Sequence, residues 1–136
     1  MHETMGGKNE QWEAMLHCGR MNRKGLAIIL LLSGLALVFG WFGIDKFRNT
    51  FMWVGFLPSW MDGFLGYSKD IWIAVIGAIE ILLAVMIVIP VRRVRQTGAS
   101  LMALHLLGIL TQVGWNDIAV RDIGLLMSSV ALLMLL

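Results

Sequence analysis

Two ionisable residues stand within otherwise uncharged apolar runs, Glu80 between Ile71 and Val91 and His105 between Gly98 and Trp115. A carboxylate or imidazole is costly in hydrocarbon, so each is a candidate for function whose partner must be named. Glu80 lies nine residues past Ile71 and His105 ten before Trp115, about 14 and 15 Å deep at helical rise. At matched depth they make a midplane pair suited to proton relay, or to hydrogen-bonding a quinone or another carbonyl ligand. These are the candidate catalytic residues. An interhelical hydrogen bond that only fixes the packing is the competing reading.

A second constellation gathers where apolar runs end: Asp45 and Lys46 after the first, and Asn116, Asp117, Arg121 and Asp122 opening the last. Asp117 and Arg121 are four apart and predict a local pair. Lys46, Asp45 and Asp122 would complete a charge network across the mouth of the molecule. Such a network binds a small anion or polar head group through Lys46 and Arg121, or serves as a salt-bridged clasp between two helix ends. Other chemistries fall away. Cys18 is the single cysteine, which excludes intrachain disulfides and CxxC redox motifs. One intramembrane histidine excludes bis-histidine haem, and Glu80 with His105 is too small a set to predict a metal site.

The elements that must position these residues follow from composition. Of 136 residues 58% are hydrophobic and 15% charged, against roughly 25% charged in a soluble domain. Four stretches, 25–45, 71–91, 98–115 and 118–136, approach the roughly 20 residues that cross a bilayer, leaving no room for a soluble catalytic module. The net charge of +2, with basic residues beside the spans, gives no reason to expect nucleic acid. Residues 1–24 read as a polar tail, mobile or weakly helical. The basic start at Met21 imitates a secretory signal, but Val38 to Phe42 contains no small-x-small cleavage site, so the first span is expected to stay.

Arg20, Arg23 and Lys24 before the first span and Arg92, Arg93 and Arg95 after the second predict a cytoplasmic side that holds both termini. The expected fold is an all-α membrane protein, an antiparallel four-transmembrane-helix bundle with an aromatic-rich interfacial loop between the first two helices. Eleven of the thirteen aromatics lie between Phe39 and Trp72. The segment from Thr50 to Gly66 is expected to anchor in the interface, or to act as a lid over a cavity. Ile123 to Leu136 covers only about 21 Å, which places Arg121 and Asp122 near the headgroups. On the second span Ile73, Gly77, Glu80 and Ala84 share a face whose small members admit another helix, as do Gly40 and Gly43 on the first; His105, Gly108 and Gln112 form a stripe on the third.

The phrase Gly40-Trp41-Phe42-Gly43-Ile44-Asp45-Lys46-Phe47, the aromatic loop, Gly77 and Glu80, His105, and Asn116-Asp117-Ile118-Ala119-Val120-Arg121-Asp122 together resemble the DoxX/DoxD-like family of small four-helix membrane proteins. The resemblance spans roughly Met21 to Leu136. It maps the family's acid and lysine onto Asp45 and Lys46, its second-helix glutamate onto Glu80, and its arginine and aspartate onto Arg121 and Asp122. Some relatives are membrane subunits of thiosulfate:quinone oxidoreductases and others join redox or thiol-stress complexes. The resemblance therefore implies an inner-membrane subunit that supports quinone-linked electron transfer, with quinone as the ligand and a redox protein as partner. A non-enzymatic scaffold or assembly factor and a small-molecule or lipid carrier are the alternatives, either as a homo-oligomer, and whether the chain is an enzyme is left open.

Overall fold

The computed structural model describes residues 6–136, all of whose regular elements are helical. The elements are α1 (Gly6–Arg48), α2 (Thr50–Val54), α3 (Lys69–Val88), α4 (Arg92–Val113) and α5 (Asp117–Leu135), with single 3-10 turns at Ser59–Met61 and Phe64–Gly66. Three helical segments are long and apolar enough to cross a membrane: Arg23–Arg48, Lys69–Val88 and Asp117–Leu135. The stretch expected to span at 98–115 falls in α4. That helix is not among the three, because its first turns carry Arg92, Arg93 and Arg95 and its later turns His105, Thr111 and Gln112.

The described start of the chain is helical. The tail read as mobile or weakly helical is continuous with α1 from Gly6 onward, and its first five residues lie outside the described ones. Gln11, Glu13 and Met15 are good helix formers and no proline interrupts the run, so a helix nucleated in the apolar half propagates back at little cost.

The four long helices form a ring in which α1 packs on α3 and α5, and α4 packs on the same two. Glycines set the closest approaches. A Cβ at Gly43 would sit 2.9 Å from the carbonyl oxygen of Gly77, and one at Gly77 would sit 2.8 Å from that of Gly43, so the α1 and α3 backbones are in direct contact. Gly40, also expected at a close approach, has open space beside it. At the other end of α3, Gly98 of α4 lies against Met86 and Ile87. The turn there uses Ile89, Pro90 and Val91, and Arg95 caps α3 by donating from Nε to the Ile89 carbonyl at 3.0 Å and from Nη2 to that of Val88 at 3.3 Å.

The core lies toward this Pro90 end. Leu32, Leu35, Phe39, Leu83, Ile87, Ala99, Met102, Leu106 and Leu132 form one apolar cluster. Outward-facing side chains are apolar as well, with Leu37, Leu104 and Met134 all well exposed. A surface of that kind matches hydrocarbon and not water.

Candidate functional site

Charged side chains enter this molecule on the same stripes that build its core. On α1 the buried positions among the described residues are Leu32, Leu35, Phe39, Gly43 and Lys46, a three- and four-residue spacing that carries the lysine inward with the apolar residues before it. On α3 they are Ile73, Gly77, Glu80, Leu83, Ala84 and Ile87, which includes the face expected from sequence. On α5 they are Ala119, Asp122, Ser129 and Leu132. Lys46, Glu80 and Asp122 are only 5%, 6% and 1% exposed.

Lys46 Nζ donates to Glu80 Oε2 at 2.6 Å. In the sequence the two residues belong to separate constellations, the lysine at the mouth and the glutamate at the midplane. Their meeting has a geometric cause. The helices run antiparallel, and each Cα–Cβ bond tilts toward the N-terminus of its own helix, so the lysine points down toward the glutamate and the glutamate up toward the lysine. The Gly43–Gly77 contact, one turn away on both helices, brings the backbones close enough for the pair to close. His105 Nε2 lies 3.5 Å from Glu80 Oε1, at the outer limit of a hydrogen bond, and its ring packs 6.3 Å from that of Phe39. Glu80 and His105 are thus brought together, with Lys46 as an unforeseen third member.

Arg121 and Asp122 pair with each other instead of joining a network across the mouth. Nε and Nη2 of Arg121 both reach Asp122 Oδ1 at 2.7 Å, and the guanidinium lies 4.2 Å over the Phe42 ring. Because the fork closes on one oxygen, Asp122 Oδ2 is buried without a hydrogen-bond partner among the described residues. The expected Asp117–Arg121 pair does not form: Asp117 is exposed in the first turn of α5, where it complements the helix dipole. Asn116 caps that helix, its Oδ1 accepting from the Ala119 amide at 3.0 Å. Asp45 also stands outside the ion pairs. It accepts from Asn49 Nδ2 at 2.6 Å and from Trp53 Nε1 at 2.9 Å.

These groups surround a cavity of about 430 Å³, a size usual for small-molecule sites. Lys46, Glu80, His105, Arg121 and Asp122 all contribute to its wall, along with Ile73, Gly108 and Gln112, whereas Asp45 and Asp117 do not. The roof is aromatic: Trp53, Phe56, Leu57, Pro58, Trp60 and Met61 cover it from the segment after α1. On α4, Gly98 lies tight against Met86 and Ile87, whereas Gly108, which lines the cavity, has nothing within 4 Å of an added Cβ. The charges in the wall balance, two cations against two carboxylates with a histidine between them. No group of three or more metal-ligating side chains occurs among the described residues.

Fold and site together define an all-helical protein with three helices able to cross a membrane, and with paired charges around a roofed cavity at one end. The family described as Domain of unknown function (DUF8561) matches residues 35–122, well over half of the chain, and the protein belongs to it. That stretch holds all five charged or ionisable residues of the cavity wall. Comparison with curated proteins and with solved structures found no match.

Lys46 was the residue most open to misplacement from sequence. The signal that locates it is the continuation of the Leu32, Leu35, Phe39, Gly43 stripe, which a depth count by helix ignores. Trp53 carried no signal beyond its membership of the aromatic belt.

Proposed function

We propose that this chain is an inner-membrane subunit that holds the head group of a quinone and supports quinone-linked electron transfer in a membrane complex. The observation that carries the reading is the Lys46–Glu80–His105 chain set in the wall of an aromatic-roofed cavity. A quinone is a neutral, flat, carbonyl-bearing amphiphile, and each property has a counterpart. The balanced charges favour a neutral head group, the indole and phenyl roof favours a planar one, and Lys46 and Arg121 have N–H groups beyond those used on their carboxylates. Reducing a quinone to the quinol takes two electrons and two protons. A partner redox protein supplies the electrons, while His105 and Glu80 handle protons at the head group.

On this reading α4 also crosses the bilayer, its polar residues turned to the cavity, and the molecule is a four-span bundle with both termini in the cytoplasm. The clustering of Arg23, Lys24, Arg92, Arg93 and Arg95 at the Pro90 end supports that orientation. The DoxX/DoxD-like resemblance agrees with the topology and with a redox partner.

Native mass spectrometry of the protein gently extracted from its own membranes tests the proposal. A co-purifying quinone or redox subunit, with quinone-linked activity lost in Glu80→Gln and His105→Ala while both remain folded, is the expected result. A homo-oligomer that carries only phospholipid would overturn it in favour of a scaffold or lipid carrier.

A further inference from the structure

The roof of the cavity is attached differently from the rest of the molecule. No residue between Thr50 and Ser68 is buried. The segment contains positive-φ positions at Gly63, Leu65 and Gly66, of which Leu65 is the one non-glycine residue at positive φ among those described. Its polar ties to the helices are few: Thr50 Oγ1 donates to the Lys46 carbonyl at 2.9 Å, Lys69 Nζ donates to the Leu57 carbonyl at 3.3 Å, and Trp53 Nε1 donates to Asp45 Oδ2 at 2.9 Å.

The third tie stands out because it joins a carboxylate to the side chain that does the covering. Trp53 lies with its ring 4.1 Å from Lys46 Nζ and makes edge contact with Phe42 at 5.6 Å. Asp45 is itself fixed by Asn49, so its second oxygen is aimed at the indole N–H.

We infer that Asp45 is a positioning residue that latches Trp53 over the Lys46 ammonium, and that Thr50–Gly66 swings as a lid when this latch opens. The latch assigns a role to Asp45, which the cavity wall excludes. It also makes admission of a ligand to the Lys46–Glu80–His105 wall depend on one charge-assisted hydrogen bond. The inference rests on the cavity being a binding site, and it names the device that controls access to it.

The test reads access without any ligand. In the full-length protein in lipid nanodiscs, with Cys18→Ser as background, Ile73→Cys places a thiol on a residue that lines the cavity and is 2% exposed. The rate of its reaction with N-ethylmaleimide reports opening. Asp45→Ala and Trp53→Phe are each expected to raise that rate about tenfold or more, the effect of losing one hydrogen bond to a charged group. The double variant should be no faster than the faster single one, because both remove the same bond. Asp45→Asn keeps an acceptor oxygen and should stay within about threefold of the parent, a rescue that a merely structural role would not give. Trp53→Phe preserves the aromatic packing, so its melting temperature serves as the folding control. Unchanged rates in both single variants, or effects that multiply in the double variant, would overturn the latch. If the rates behave as expected and no quinone binds, the lid stands and the assignment of its ligand falls.

Discussion

The two ends of the ring solve different problems with the same helices. At the Pro90 end, α3 and α4 touch at Gly98, α3 is capped by Arg95, and the interior is filled with Leu, Ile, Ala and Met. At the roofed end the interior holds two ion pairs and a histidine around a cavity. Dry packing stabilises the first end. The second holds its charges out of water in pairs, an arrangement that adds little stability. The two ends therefore respond differently to substitution, and at the roofed end breaking a charge pair on one side should be distinguishable from removing it whole.

The largest effect is expected from breaking the buried pair on one side. Lys46→Ala or Glu80→Ala leaves an uncompensated charge and should cost about 3–5 kcal/mol, read by thermal unfolding in detergent. The double change Lys46→Met with Glu80→Leu should recover most of that loss, because the pair contributes little beyond balancing its own desolvation. Next comes the contact that lets the pair form. Gly77→Ala drives a methyl to 2.8 Å from the Gly43 carbonyl oxygen, and should cost about 1–3 kcal/mol by the same measurement. Gly40→Ala, with open space beside it, should stay within about 0.5 kcal/mol. Removing the α5 cap by Asn116→Ala should cost about 1 kcal/mol. Gly108→Leu, which fills open space in the cavity wall, should likewise alter unfolding by no more than about 0.5 kcal/mol.

Much of the scaffold was legible in the sequence. Apolar runs located the long helices, and three- and four-residue spacing selected the correct buried face of α3 around Glu80. Single residues at helix ends were harder to place. Lys46 and Asp122 read as mouth residues because they stand where apolar runs end. Both sit on buried stripes, and the tilt of side chains toward the N-terminus of α1 draws Lys46 down into the molecule. The Asp117–Arg121 spacing suited a helix pair, yet Arg121 turns to its neighbour Asp122 because Phe42 offers its guanidinium an aromatic face. Asp45 is a different case. Its type and position suggested ligand contact, and only the fold of α2 back over α1 reveals the indole it holds.

The central claim is that the cavity beside Lys46, Glu80 and His105 is a binding site for a quinone head group. Its most direct test is titration of the full-length protein in lipid nanodiscs with a short-tailed benzoquinone, followed by quenching of tryptophan fluorescence, since Trp53 and Trp60 line the cavity. Saturable quenching is expected in the parent protein, with affinity at least about tenfold weaker in Gly108→Leu, whose added side chain occupies the space. Equal, saturable binding in both proteins would place the quinone elsewhere and contradict the assignment, as would quenching that never saturates.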